Sequence, residues 1–280
     1  PMSSSSTRRG PLAALGIYLG LSAAALIMAA PLLFSFMTAF KSPKDFASHS
    51  PFALPSPFSL ESFSAVLGGR IAFGGAIATT LAVVVVMVAG QLVSSVMAAY
   101  AFARIDFPGR DLVFWLFLAT MMIPATVLVV PLYLMLARMG LNNTFWGIVI
   151  PFVFASPYAV FLLRQSFRQI PQELIDAATL DGAGTWRILW SLVLPMSKPI
   201  LATLTLITVV SHWNSFMWPR IIAAQRPKVI TVATAALQSQ YNANWTYVMA
   251  ATTIALVPLI ALFIAFQRQI VGSIALTGLK

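Results

Sequence analysis

The sequence predicts an all-α polytopic membrane protein with about six transmembrane helices, and its composition and uncharged stretches carry that prediction. Of its 280 residues, 59% are hydrophobic and only 9% are charged. Soluble domains carry roughly 25% charged residues, so lipid must replace water around much of this chain. Each of six stretches without Asp, Glu, Lys or Arg supplies the ~20 apolar residues that cross a ~30 Å hydrocarbon core. The predicted spans lie near residues 12–40, 71–103, 112–137, 144–164, 199–222 and 247–267.

The N-terminal segment, residues 1–11, is predicted to be flexible and cytoplasmic. It is rich in serine and contains Arg8 and Arg9, and basic residues flank membrane spans on the inner side. The uncharged stretch that follows is too long for the core of a signal peptide and lacks a small-residue cleavage site, so we interpret it as a retained helix. Residues 12–280 are then expected to form a single transmembrane domain.

The connections between the spans differ in length and composition. Residues 41–70, on the outer side, are rich in proline and serine, which predicts irregular structure with one short helix beginning near Glu61. Pro108 and Gly109 predict a tight inner turn, and residues 138–143 predict an equally short outer turn.

Prolines inside the predicted spans indicate bent helices, because each proline removes a backbone hydrogen bond that packing or water must replace. We favour static kinks over moving hinges as the role of these prolines. They are Pro31, Pro124, Pro131, Pro151, Pro157 and Pro258.

The charges bear on topology rather than on nucleic-acid binding. The net charge is +10, but the 17 basic residues are scattered at the ends of spans and form no dense run, which excludes a nucleic-acid-binding protein. Six spans put both termini on one side of the membrane. With cytoplasmic termini, ten basic residues lie inside and seven outside, which favours that orientation. The absence of cysteine excludes disulfides, thiolate metal sites and a cysteine nucleophile.

The segment between the fourth and fifth spans, residues 165–198, is polar and does not suit lipid. Pro171 fits the first turn of a helix, and Gly182 is a natural residue to end it. Thr185 is expected to cap a second helix, which ends before Pro195. The segment therefore predicts two short helices joined by a tight glycine turn. Three of the seven acidic residues of the chain lie in it: Glu173, Asp176 and Asp181.

The spacing within this segment resembles the EAA loop of the permeases of binding-protein-dependent ABC importers. The pattern is Asp176-Ala177-Ala178, three residues, Gly182, nine residues, Leu192, one residue, then Leu194-Pro195. Asp176 replaces the usual Glu and Leu192 the usual Ile, and Ala183 and Pro199 also suit the family. This many matched positions form a specific signal, unlike a lone short motif. The run from Ala99 to Arg110, together with Trp213-Asn214 and Trp218-Pro219, is similar to the carbohydrate-uptake branch, and residues 272–280 resemble the tail of the maltose-type permease.

The resemblance implies a type I ABC importer permease fold in the bacterial cytoplasmic membrane, with the polar segment as a cytoplasmic coupling loop that docks on an ATPase. It implies four partners besides lipid: a second permease subunit in a heterodimer, two cytoplasmic ATPase subunits and an extracytoplasmic solute-binding protein. The solute is expected to be a sugar, an amino sugar or a glycerol phosphate. The residues carried over to ATPase docking are Glu173, Asp176, Ala177, Ala178, Asp181, Gly182, Ala183, Leu194 and Pro195.

The chain is not expected to be catalytic by itself. It lacks a Gly-x-x-x-x-Gly-Lys-Ser/Thr phosphate loop, so ATP and Mg are assigned to the ATPase subunits and no cofactor to this chain. An ion-coupled transporter would need intramembrane acids or repeat symmetry, and a membrane-embedded enzyme would need clustered His or acids, but His49 and His212 are far apart in sequence. Neither class, nor a noncatalytic scaffold, explains the spacing from Asp176 to Pro195.

A second candidate group lies in the fifth span. His212 is a polar group at membrane depth, and with Trp213 and Asn214 it suits a path for a hydroxylated solute. The alternative, which we favour for His212, is an interhelical hydrogen bond. For Trp218 we favour a packed interface and an interfacial belt.

Overall fold

The computed structural model describes residues 11–68, 73–240 and 244–277, with side-chain surroundings for 15–68, 73–238 and 244–267. The predicted flexible residues 1–10 and the end of the predicted tail, 278–280, lie outside this description. The described residues form fifteen α-helices, one 3₁₀-helix and one π-helix, and they contain no strand. The α-helices are α1 (Pro11–Ala39), α2 (Pro43–Ser48), α3 (Glu61–Leu67), α4 (Phe73–Arg104), α5 (Arg110–Ala119), α6 (Ala125–Arg138), α7 (Phe145–Val149), α8 (Pro157–Arg168), α9 (Gln172–Leu180), α10 (Thr185–Ile188), α11 (Leu194–Met196), α12 (Lys198–Trp213), α13 (Met217–Ile222), α14 (Ile230–Gln240) and α15 (Trp245–Thr277).

The chain divides into two compact units. The first unit comprises Pro1–Ile71 and Leu237–Ile254, and the second comprises Ala72–Ala236 and Ala255–Lys280. The single domain expected over residues 12–280 stays a prediction.

In the first unit, the segment after α1 contains more helix than the sequence predicts. The short helix α3 was predicted, but α2 was not. Ser42 caps α2 by accepting a hydrogen bond from the Asp45 backbone N–H at 3.1 Å, and Pro43 occupies the first turn. Lys41 is fully buried, and its ammonium donates to the carbonyls of Ser50 and Pro51 at 3.2 and 3.0 Å. These carbonyls compensate the buried charge and fold the segment back on itself.

Three helices of the described chain are long and apolar enough to cross a membrane without interruption. They are Leu15–Ala39, Phe73–Arg104 and Trp245–Gln267. Two further pairs of helices satisfy the same criteria together but are sharply bent, so the described residues provide up to five spans. The pairs are Arg110–Met122 with Ala125–Arg138, bent by 97°, and Thr185–Met196 with Lys198–Trp213, bent by 81°.

The first bend follows from a proline. Ile123 precedes Pro124 and is extended, with φ −83° and ψ 117°, because a proline disfavours the helical conformation in the residue before it. Pro31, Pro131 and Pro258 instead remain inside α1, α6 and α15. The prolines of the predicted spans therefore separate into those that interrupt a span and those that a helix accommodates.

The continuous helix expected over residues 144–164 is not present, because the chain is interrupted between α7 and α8. Pro151 follows the end of α7, and Pro157 occupies the first turn of α8. The non-helical residues between them satisfy backbone groups through α4: the Gln91 amide donates to the carbonyl of Phe152 at 2.5 Å. The helix expected over residues 199–222 is likewise divided, into α12 and α13.

The core of the second unit is built around α4, which packs against α8 and α12. Contacts between α4 and α8 advance together along both helices, from Ser95 with Ser156 to Arg104 with Phe167, so the two helices are parallel. We call the buried cluster near their C-terminal ends the lower core, and the one near their N-terminal ends the upper core. The lower core includes Val96, Tyr100, Phe114, Leu163, Phe167 and Leu204, and the upper core includes Val83, Met87, Leu136, Ile148, Trp218 and Ile222.

Candidate functional site: a two-helix hairpin on the lower core

The polar segment forms a hairpin of α9 and α10, as the sequence predicts, and glycine closes its turn. Gly182 has φ +80°, and its N–H donates to the Thr179 carbonyl at 3.0 Å. The N–H of Ala183 donates to the Ala178 carbonyl, also at 3.0 Å. These two bonds form a Schellman motif, which satisfies carbonyls that the end of α9 would otherwise leave without partners.

The requirement for glycine at position 182 is conformational rather than steric. A Cβ built on Gly182 would meet no atom within 4 Å, so the site has room for a side chain. The left-handed backbone costs an L-residue about 1–2 kcal/mol. Gly184, two residues later, also has room but is extended at φ −72°, which any residue adopts. The turn therefore depends on one of its two glycines.

The second arm of the hairpin differs from the prediction at both ends. Gly184, not Thr185, is the N-cap residue, and no side chain caps this helix. The helical run also passes through Pro195 instead of ending before it. A π-helix over Leu189–Val193 leads into α11, and Pro195 lies in the first turn of α11.

Apolar side chains seat both arms on the lower core. Ile175 of α9 is 8% exposed and Ile188 of α10 is 5% exposed. Both belong to the same buried cluster as Tyr100 of α4 and Phe167 of α8. The hairpin is therefore part of one close-packed cluster with α4 and α8, and a force on it reaches them through this packing.

The opposite face of the hairpin is exposed and combines acids with large apolar side chains. Leu180, at the end of α9, is 90% exposed, and Trp186 and Trp190 are about 60% exposed. Large apolar groups that protrude from a polar element mark a surface for a partner. Among the residues carried over from the resemblance, Glu173, Asp176, Ala177, Asp181, Gly182 and Pro195 are exposed, whereas Ala178, Ala183 and Leu194 are half-buried against the lower core.

Two residues that no sequence motif marks, Arg104 and Gln172, fasten the hairpin to α4. Arg104, the last residue of α4, donates to the side-chain oxygen of Gln172 at 2.7 Å. The amide nitrogen of Gln172 donates to the Asp176 carboxylate at 2.9 Å. In the sequence, an arginine at the end of a span resembles any other inner-side basic residue, so only the fold identifies the contact between Arg104 and Gln172.

The three residues of the second candidate group face different surroundings. The Gln91 amide of α4 donates to His212 Nε2 at 3.0 Å, which is the interhelical hydrogen bond favoured above. Trp213 is buried, and its indole donates to the Ala255 carbonyl at 3.1 Å. Asn214 is exposed, and its amide donates back to Val210 of its own helix at 2.8 Å. A shared solute path along these residues stays a prediction. Trp218 is buried in the upper core, as the packing interpretation expects.

A cavity of about 600 Å³ lies where three helix interruptions of the second unit meet. Ala125 lines it from the start of α6, Phe152 from the interruption after α7, and Phe216 from the break after α12. Thr126 and Ser215 contribute hydroxyls to an otherwise apolar wall.

Comparison with known proteins identifies a matching family and several relatives of the chain. The model of a family described as the binding-protein-dependent transport system inner membrane component matches residues 90–275. The arabinooligosaccharides transport system permease protein of Halalkalibacterium halodurans is 34% identical over 197 residues, 70% of each chain. The sn-glycerol-3-phosphate transport system permease protein of Yersinia enterocolitica is 36% identical over 65% of this chain and 66% of its own length.

Two further similarities extend this result. The diacetylchitobiose uptake system permease protein of Streptomyces coelicolor is 35% identical over 69% of this chain and 64% of its own length. A crystal structure of a bacterial ABC transporter involved in the import of the acidic polysaccharide alginate matches 96% of this chain and 99% of its own, with 26% identity and a TM-score of 0.79. The fold therefore agrees with a solved ABC importer over nearly the whole chain.

Proposed function

Because the chain belongs to the binding-protein-dependent transport system inner membrane component family, we propose that its α9–α10 hairpin docks on a separate cytoplasmic ATPase and couples ATP hydrolysis to solute import. The fold is that of a type I ABC importer permease, and the chain is a transport permease rather than an enzyme. A hairpin of this kind converts closure of an ATPase pair into movement of membrane helices as a rigid body.

The observation that carries this proposal is the two-sided character of the hairpin. Ile175 and Ile188 bury one side in the lower core, while Glu173, Asp176 and Leu180 are exposed on the other. The buried side provides mechanical continuity with the spans, and the exposed side provides apolar and charged contacts for a partner. With six spans, as the sequence predicts, a cytoplasmic hairpin also puts both chain termini on the cytoplasmic side.

The proposed assembly contains this chain, a second permease subunit, two ATPase subunits and an external solute-binding protein. The family description itself names transport that depends on a binding protein. ATP and Mg belong to the ATPase subunits, because the chain has no phosphate-binding loop of its own.

The proposed solute is a sugar or a sugar-like polar molecule. Relatives of the chain are named for arabinooligosaccharides, diacetylchitobiose and sn-glycerol 3-phosphate, and the matched transporter imports alginate. All of these are polyhydroxylated. Within the second unit we propose that the solute passes the interrupted helices beside His212 and Asn214, with the buried Trp213 supporting that wall from behind.

Two substitutions in the hairpin test the coupling proposal. Gly182→Pro forces φ to about −65° and removes the N–H that donates to Thr179, and Asp176→Arg reverses a charge on the exposed face. Both are expected to abolish ATP-driven uptake while the protein still inserts into the membrane. The measurement is uptake by proteoliposomes containing the full transporter and its binding protein, across arabinooligosaccharides, diacetylchitobiose and sn-glycerol 3-phosphate.

Gly184→Ala is the matched control, because it adds a methyl group to the same turn at a residue whose backbone conformation accepts one. It is expected to transport normally. Normal uptake by Gly182→Pro and Asp176→Arg would refute the coupling role. Uptake that survives removal of the ATPase but collapses with the proton or sodium gradient would indicate a secondary transporter instead.

A further inference from the structure

Two arginines join the C-terminal ends of α4 and α8 in opposite directions. Arg104 reaches from the end of α4 to the carbonyl of Phe167, in the last turn of α8, and to the carbonyl of Ile170, just after α8. Arg164 reaches from α8 to the carbonyl of Phe102, near the end of α4, with its Nε at 3.1 Å. Each helix therefore supplies a guanidinium to the other helix's last turn. These turns carry carbonyls without helical partners and the negative end of the helix dipole.

Each arginine also holds a third element. Arg104 binds Gln172 of α9, which in turn binds Asp176, as described above. The Arg164 guanidinium donates to the Asp111 carboxylate of α5 at 2.9 Å and lies 4.0 Å over the ring of Phe114. The Arg164 side chain is only 13% exposed, whereas the Asp111 side chain is 62% exposed, so solvent screens the ion pair more than it screens the contact with Phe114. The two residues thus connect α4, α5, α8 and α9.

We propose that Arg104 and Arg164 form a clasp that makes α4 and α5 move together with the coupling hairpin. The inference rests on the coupling function proposed above and extends it. Chain connectivity carries a displacement of the hairpin to α8 and to α11 and α12, which flank it, and apolar packing in the lower core links the hairpin to α4. The clasp adds directed polar contacts to α4, a single uninterrupted helix of 32 residues.

Movement of α4 matters because this helix also organises the interrupted region at the other end of the unit. Gln91 of α4 binds the Phe152 carbonyl and His212, and the Thr80 hydroxyl accepts the backbone N–H of Ile230 at 2.8 Å. A shift imposed on α4 by the clasp is therefore transmitted to the residues that border the proposed path. Arg104 and Arg164 are positioning residues: they act through α4 rather than by contact with the solute.

Lysine cannot replace either arginine. Each guanidinium serves several acceptors from one planar group, and Arg164 additionally stacks on an aromatic ring, whereas an ammonium is a compact point charge on a flexible stem. Arg104→Lys and Arg164→Lys therefore keep the charge while breaking the geometry. Arg168→Lys, at the exposed last position of α8, is the matched control.

The experiment reconstitutes each variant with its ATPase and binding protein, and measures solute imported per ATP hydrolysed, using the solute from the panel above that the wild type imports. Arg104→Lys and Arg164→Lys are expected to lower this ratio at least about fivefold, as loss of an allosteric coupling does. The amount of co-purified ATPase is expected to stay at the wild-type level. Arg168→Lys is expected to keep the wild-type ratio.

A wild-type ratio of solute imported to ATP hydrolysed in both clasp variants would overturn the proposal. Parallel loss of hydrolysis, import and bound ATPase would also overturn it, because that result indicates a misfolded protein and not a loss of coupling. Gln172→Ala, which removes the link between Arg104 and α9, provides an independent variant and is expected to lower the ratio too; an unchanged ratio would overturn that link. If Gly182→Pro abolishes uptake while the clasp variants couple normally, only the clasp is rejected. If Gly182→Pro transports normally, the coupling function itself is rejected.

Discussion

Two glycines show how one residue type meets different requirements at different sites. Gly182 is needed for its backbone conformation, because the turn has room for a side chain but a positive φ. Gly90 is needed for its size. A Cβ there would lie 2.4 Å from Val153 Cγ2 and 2.5 Å from the Val153 carbonyl oxygen. The absence of a side chain lets the non-helical residues between α7 and α8 approach α4 closely, within reach of Gln91.

Gly90→Ala is expected to destabilise the protein by about 1–3 kcal/mol, the usual cost of overpacking a close-packed site. The added methyl group would push the Val153 carbonyl away and lengthen the contact between Gln91 and Phe152. Thermal unfolding of the purified transporter in detergent measures the effect as a lower midpoint.

Gly75→Ala, in the first turn of the same helix, has no neighbour within 4 Å of its added methyl group and should leave the midpoint unchanged. Val153→Ala in the Gly90→Ala background should restore little stability, because the backbone oxygen of Val153 remains in the way. Equal midpoints for Gly90→Ala and Gly75→Ala would contradict the close approach.

At the scale of the element, the hairpin is held by packing and not by its own helical stability. Helix α9 has nine residues and α10 has four, and isolated helices this short are marginal in water. Burial of Ile175 and Ile188 in the lower core supplies the stabilisation that the local sequence lacks. An element held in this way keeps a fixed orientation relative to α4 and α8, which a docking surface needs.

Ile175→Ala is expected to detach α9, because truncating a buried isoleucine costs about 2–5 kcal/mol. The backbone amides of α9 should then exchange hydrogen faster, while those of α4 keep their protection. Hydrogen exchange followed by mass spectrometry measures this difference peptide by peptide.

Leu180→Ala is the control within the same helix, since Leu180 is 90% exposed and contributes no packing to the lower core. Its amides should exchange as in the wild type when the ATPase is absent. Unchanged exchange in Ile175→Ala would show that something other than core packing holds α9.

At the scale of the whole molecule, the proposed function requires one particular orientation of the chain in the membrane. The hairpin is proposed to face the ATPase, and the sequence predicts that residues 41–70 lie on the outer side. The clasp, the lower core and the hairpin all lie at the end of α4 marked by Arg104. The excess of basic residues assigned to the inner side agrees with this orientation.

Single cysteines test the orientation cleanly, because the chain contains no cysteine of its own. Leu180→Cys in the hairpin is expected to react with a membrane-impermeant maleimide only in inside-out vesicles. Ala47→Cys, at an exposed position of α2, is expected to react only in intact cells or right-side-out vesicles. Labelling of Leu180→Cys from outside an intact cell would refute both the orientation and the docking proposal.

The sequence by itself determined the class of fold and the location of the candidate site. Uncharged stretches predict membrane helices because an unpaired charge in lipid is costly, and the spacing from Asp176 to Pro195 predicts the hairpin because turns and caps are set by local backbone preferences. The turn at Gly182 is confirmed, since a positive φ depends on neighbouring residues alone.

Only the tertiary structure decided where helices are interrupted and what fastens them together. Pro131 remains inside a helix while Pro124 ends one, and hydropathy treats both alike because it averages over the interruption. Residues 150–156 form no helix, because α4 supplies what their backbone needs. Gln91 and Ser95 form hydrogen bonds with backbone groups of this segment, and the absence of a side chain at Gly90 leaves room for it. All three residues are distant from the segment in sequence. Arg104 and Arg164 read in sequence as charges at the ends of spans. Several of their partners are backbone carbonyls, which every residue carries, and the side chains that they bind, Gln172 and Asp111, are distant in sequence. The contacts therefore could not be recognised before the helices were placed side by side.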